Sequence, residues 1–163
     1  MKNPASLLLT TLLFLPAACV EDHRPETGRE KRTALELTVQ TAQTKTYIST
    51  TTFPDGSQIG VFLTDREGLT YEGSTDNMRY TAAGTGASQK WSSETPALLG
   101  SMQAQLLAYY PYSPSVTDIT AVPVETASQA DYMWARPCRW LNYALYDAEV
   151  TMEHALSIVK IEF

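Results

Sequence analysis

Apolar residues along this chain fall in short alternating runs, punctuated by Gly, Pro, Asp and Asn. Leu35, Leu37 and Val39 alternate with polar neighbours, the pattern of a strand with one face on a core. A Thr/Gln-rich stretch follows to Thr52 with Lys45 as its only charge, and its β-branched residues suit an edge or exposed strand. Pro54-Asp55-Gly56 predicts a turn, because Pro fixes one dihedral and Gly accepts a positive one. Ile59, Val61 and Leu63 then mark the clearest strand, and a polar turn at 65–68 leads to a short partner at 69–72. Further short strands are expected at 78–81 and 90–92, on either side of a Gly84/Gly86 loop.

Between 96 and 108 the pattern divides. Pro96 at a first helical position with Leu98, Leu99, Met102, Gln105 and Leu106 suits a helix, while a Gly100-Ser101 turn followed by Ala104, Leu106, Ala108 and Tyr110 suits a strand. Pro111 and Pro114 stop either element. Residues 118–125 read as an edge strand interrupted by Pro123, and 131–135 and 140–146 as further short segments. From Val150 to Phe163 an alternating face (Val150, Met152, His154, Leu156, Ile158) competes with a helical one (Met152, Ala155, Leu156, Val159, Phe163). The β-branched Ile158, Val159 and Ile161 favour a strand, with a bulge at 158–159 or with both faces covered. Ending on this apolar run, the chain is expected to be sealed by a partner or to continue in a longer parent. Short strands at close intervals without an internal repeat predict one all-β domain, an antiparallel β-sandwich.

The chain's 163 residues suffice for one domain with a substantial core. A net charge of −6 without a Lys/Arg cluster excludes nucleic acid as a partner, since phosphates demand concentrated positive charge. The first residues carry Lys2, an apolar stretch over 5–15, and Ala17-Ala18 before Cys19, the three parts of a bacterial export signal at 1–18. A cysteine after two alanines resembles the lipobox of bacterial lipoproteins, with Pro16 where that pattern usually has leucine; an ordinary signal with a nearby cysteine is the alternative. The resemblance implies lipid on Cys19 and attachment to a membrane. Glu21 and Asp22 are similar to the acidic signal that sends lipoproteins of the Bacteroides group to the outer face of the outer membrane. Residues 19–33 are charged and nearly devoid of apolar side chains, so they read as a flexible tether to a domain at 34–163. With Cys19 lipidated, Cys138 has no intrachain partner and is either a packed small hydrophobe or a loop thiol.

Catalysis has little support. His23 lies in the tether and His154 on the last strand, so no metal site of common His/Cys spacing assembles, and neither metal nor other cofactor is expected. A Cys138–His154 nucleophile pair lacks any flanking signature. The aromatics are better candidates: Tyr109, Tyr110 and Tyr112, with Trp134 and Trp140, could offer ring faces to a sugar, against the ordinary alternative of packing with their polar ends wet.

Four segments, GSQIGVF at 56–62, AYYPYS at 108–113, QADYMWA at 129–135 and MEHALSIVKIEF at 152–163, occur in this order and together resemble the fimbrillin-like lipoproteins of the Bacteroides group. The resemblance implies a transthyretin-like β-sandwich, followed in full-length members by a second similar domain, and the place of His154 in the HAL motif implies a hydrogen-bonded residue at the core margin. It also implies a pilus subunit or an accessory tip or anchor protein, lipid-anchored on the outer membrane at the cell surface and found in the fimbrium after processing. Its partners would be other fimbrial subunits, joined by donor-strand exchange once a protease has removed the first strand. That cut usually follows an arginine; here Lys45 stands in the arginine's place, which would suit a subunit that stays anchored. The alternative function is a surface glycan-binding module taking a host or glycan ligand.

Overall fold

The computed structural model describes residues 30–42, 52–86, 89–125, 130–135 and 139–155. It is all-β, with the strands β1 (Thr33–Ala34), β2 (Glu36–Thr41), β3 (Gln58–Thr64), β4 (Met78–Ala83), β5 (Gln89–Ser92), β6 (Leu98–Leu99), β7 (Gln105–Tyr110), β8 (Met133–Ala135) and β9 (Asp147–His154). β1 pairs only with β6, while the other seven close into a ring in the order β2-β5-β4-β3-β7-β8-β9.

Period-2 alternation explains which residues face the ring's interior. Leu37 and Val39 on β2, Ile59, Val61 and Leu63 on β3, Met78, Tyr80 and Ala82 on β4, and Ala148, Val150 and Met152 on β9 all belong to one buried core. Trp91, Leu106, Ala108, Met133 and Ala135 complete it from β5, β7 and β8. At roughly 1.5–3 kcal/mol for each large apolar side chain taken from water, this interior is the main favourable contribution to folding.

Several expectations need correction. The expected all-antiparallel arrangement fails at one pair: β2 and β9 run parallel from Glu36↔Asp147 to Thr41↔Met152. These strands lie at opposite ends of the domain, so no hairpin dictates their relative direction. Pairing is otherwise antiparallel and continuous around the ring. At 96–108 the strand alternative prevails, because Ala97 N donates to Tyr80 Oη (3.1 Å) and Gly100 N to Tyr71 Oη (2.9 Å), which fixes the chain before β7 pairs with β3. The edge strand expected at 118–125 is instead a 3₁₀ turn, Ile119–Ala121, capped by the Asp118 carboxylate accepting from Thr120 N. The partner expected at 69–72 is reduced to a single bridge, Thr64↔Thr70. The closing strand keeps one alternation throughout β9, and the bulge considered at 158–159 lies outside the described residues. Glu30 to Thr33, assigned to the tether on composition, are docked: Glu30 accepts from Ser101 N and Oγ (2.9 and 2.7 Å), and Lys31 stands 5.5 Å from the Tyr143 ring centre.

A second, smaller cluster lies on the outer face of β3 and β7, where Phe62, Tyr109 and Val116 pack together with Leu107, Ile119 and Val122. Gly60 makes this possible. A Cβ there would overlap the Tyr109 ring and stand 2.6 Å from Asn77 Oδ1, so only glycine lets the tyrosine lie flat over β3.

Candidate functional site

β2 is the first strand of the ring and the one that closes it. On one side its register is Leu37↔Trp91 and Val39↔Gln89 with β5; on the other it is Leu37↔Ala148 and Val39↔Val150 with β9. Leu35, Leu37 and Val39 are all buried, as their spacing predicts. Both ends are tied, by Leu35 N donating to Ala97 O (2.9 Å) and Ala42 N donating to Met152 O (2.8 Å). Beyond residues 43–51 the chain is held again at Phe53. The buried Gln89 side chain accepts from Phe53 N (3.0 Å) and donates to Phe53 O (2.9 Å) and Gly84 O (2.7 Å). The Phe53 ring meets Trp91 and Tyr110 edge-on, at 5.2 and 5.1 Å. The chain on each side of the segment carrying Lys45 is therefore anchored independently. Two buried atoms along this stave, Thr41 Oγ1 and Trp91 Nε1, have no hydrogen-bond partner among the described residues.

Lys45 and Cys19 lie outside the described residues, as do Cys138 and His23. His154 Nδ1 is 2.7 Å from Asp131 Oδ1 at the end of β9, matching its expected place at the core margin. Among the described residues no three His, Cys, Asp or Glu side chains converge as metal ligands would.

The three tyrosines are not brought together as one platform. Tyr109 is buried, with its hydroxyl donating toward Asn77 Oδ1 and Ser113 O (both 2.9 Å) and accepting from Ser113 N (3.1 Å), so its ring is unavailable to a ligand. Burial raises its pKa, against the opposing effect of those hydrogen bonds. Tyr110 turns to the opposite face and packs against the interior core. Tyr112 lines a cleft of about 430 Å³ on the outer face of β4 and β5, walled by its ring and the 75–77 loop, whereas Tyr109 and Tyr110 border a different groove. Arg79, Thr81, Ser92 and Glu94 project into the Tyr112 cleft. The pair Thr81↔Ser92 forms one rung of its floor, and Arg79 and Glu94 form an ion pair at 3.9 Å. Trp134 lines the other groove, an apolar one of about 260 Å³, with Leu107, Val122 and Val124, and Trp140 lies 5.7 Å from the Arg66 guanidinium.

The protein is thus an all-β domain whose seven-stranded ring is closed by β2. The chain belongs to the fimbrillin-like family, whose model matches residues 38–163. Its fold is similar to the crystal structure of a candidate cell-adhesion protein from Bacteroides uniformis ATCC 8492, with a TM-score of 0.57 at 22% identity over 80% of this chain and 49% of that one. It is also similar to a fimbrial protein from Bacteroides ovatus ATCC 8483, with a TM-score of 0.50 at 19% identity over 77% of this chain and 29% of that one. The chain thus spans about half the length of the first and under a third of the second. No curated protein matches it.

Proposed function

We propose that the chain is a cell-surface fimbrial subunit, or an accessory anchor or tip lipoprotein, acting in adhesion and in pilus assembly by strand exchange at β2. The observation that carries this is the place of β2: it closes the ring, fills the core with Leu37 and Val39, and is joined to the rest of the domain through a segment whose two sides are anchored separately. Membership of the fimbrillin-like family supports the same role. Thr41 Oγ1 and Trp91 Nε1, which have no partner among the described residues, support it further, since a buried unsatisfied group costs about 1–3 kcal/mol and a donor strand that satisfies them would bind better than the resident one.

Lipid on Cys19 would hold the protein at the outer membrane, and cleavage after Lys45 would free β2 for replacement by a neighbouring subunit's strand. The transthyretin-like sandwich belongs to the same proposal: two facing sheets arise from such a ring where its pairing opens at two places.

The test is expression of the full chain in a fimbriated bacterium of the Bacteroides group, beside the Lys45→Ala variant. Native protein should enter detergent-resistant high-mass ladders beginning after residue 45, while the variant should remain lipidated and monomeric in the membrane fraction. Native chain that stays monomeric with its first strand attached, in cells making fimbriae, would sink the proposal.

A further inference from the structure

We infer that the cleft on the outer face of β4 and β5 is a binding site for a neutral saccharide, seated between the Arg79–Glu94 pair and the ring of Tyr112. None of the residues that line the cleft belongs to β2, so the site can be tested separately from strand exchange.

The site's chemistry is set by hydrogen-bonding capacity left unspent. The Thr81 and Ser92 hydroxyls sit on one rung, and among the described residues neither they nor the Tyr112 hydroxyl has a hydrogen-bond partner, although they line the same concave space. Arg79 and Glu94 line the same cleft at a separation of 3.9 Å, too long for a well-formed bidentate contact. Such a pair offers donors and acceptors side by side, which suits adjacent hydroxyls of a pyranose that each donate and accept. Tyr112 adds a half-buried aromatic wall for the CH face of the sugar.

The cleft is also held in shape. Asn77, at φ 52°, donates from Nδ2 to Ser113 O (2.8 Å) and accepts from Tyr109 Oη, which ties the 75–77 loop to the turn that follows Tyr112. A non-glycine residue in this region is uncommon and strained, and it persists where its surroundings fix it.

Other ligand classes fit less well. An extended peptide needs an unpaired strand edge, yet β4 is paired on both sides by β3 and β5, and β5 by β4 and β2. A compact anion would meet Glu94 beside Arg79, and an apolar ligand would meet a lining dominated by hydroxyl and charged groups. At about 430 Å³ the space falls within the range of small-ligand sites.

The test uses the full chain in a detergent without a sugar headgroup. Saturation-transfer difference NMR is run with methyl glycosides of glucose, galactose, mannose and N-acetylglucosamine at ~10 mM, a concentration that reveals the millimolar affinities expected of single sugars. At least one glycoside should show saturation transfer to its ring CH protons. Titration calorimetry should then find its affinity about tenfold weaker or worse for Arg79→Ala, the loss expected for a charged hydrogen bond. Glu94→Gln should weaken binding less, and Trp134→Ala, in the other groove, should leave it unchanged. Both Arg79 and Glu94 are exposed, so these variants fold. Absence of transfer for all four glycosides, binding indifferent to Arg79→Ala, or binding lost only in Trp134→Ala would overturn the assignment.

Discussion

Gly60 shows how one missing side chain decides what its neighbours can do. Because β3 carries no Cβ there, Tyr109 lies across the strand and its hydroxyl gathers Asn77 and Ser113, which also shapes the wall of the adjacent cleft. Gly60→Ala should therefore destabilise the domain by about 1–3 kcal/mol, the usual penalty for forcing atoms into a filled space. Tyr109→Phe keeps the ring but strands Asn77 Oδ1 and Ser113 N, and should lose about 1–3 kcal/mol by a different route. Urea denaturation checks both, and a Gly60→Ala protein of unchanged midpoint would mean that Tyr109 moves aside freely. In the sequence, Tyr109, Tyr110 and Tyr112 look equivalent. Alternation assigns Tyr109 and Tyr110 to opposite faces, but nothing local says that the 113–125 segment folds over the outer face and buries Tyr109. Arg79 and Glu94 are equally silent, since single charges look like solvent-facing residues until the fold brings them together as an ion pair.

At the scale of elements, the clearest alternations gave the most legible strands. Leu37 and Val39, Ile59 to Leu63, and Val150 with Met152 all face the core as their spacing requires, because burial of one sheet face leaves its pattern in the chain. The parallel β2–β9 pair left no such trace: pairing between the two ends of a domain depends on topology, which neither alternation nor turn residues encode. Composition likewise misplaced residues 30–33, where charged side chains act as fasteners. Glu30 accepts from Ser101, and Arg32 pairs with Glu72 at 3.3 Å, alongside the two-residue β1–β6 ladder. The hydrogen bonds from Ser101, first its backbone amide and then its hydroxyl, hold the Glu30 carboxyl below the usual carboxylate range, with Arg32 adding to the effect. A depressed folded pKa means that this fastening is complete above the ordinary glutamate value and is lost as pH falls through the lowered one. The Ser101 amide resonance should thus titrate at acid pH with a midpoint below that of a free glutamate, and hydrogen exchange at β1 should quicken over the same window. Glu30→Gln should abolish the titration. A Ser101 amide that titrates identically in the variant would show that another group governs it.

For the molecule as a whole, loss of β2 would convert the ring into a six-stranded sheet with β5 and β9 as its two edges. These edges run in opposite senses, since β2 is antiparallel to β5 and parallel to β9. Any strand entering between them must make one parallel and one antiparallel ladder. The two ladders differ in length: the resident strand pairs at six positions with β9, in the parallel sense, and at three with β5. Antiparallel pairing is slightly the more stable per residue, so a donor inserted in the direction opposite to β2 would make the longer ladder antiparallel and the shorter one parallel. Its alternation would still fill the pockets of Leu37 and Val39, because a period of two survives reversal. The donor strand is therefore expected to run opposite to the strand it replaces. To test this, the chain would be cleaved after Lys45 at low pH, where the Glu30 fastening is weakened, and mixed with an eight-residue peptide, of ~25 Å extended length, that alternates Leu or Val with Thr. Entry would be followed by the fluorescence of Trp91, which packs opposite Leu37. A spin label on the peptide's N-terminus should then broaden amides near Met152, at the C-terminal end of the β2 groove. Broadening near Asp147 instead would mean that the donor keeps the direction of β2 and that ladder length does not choose its orientation.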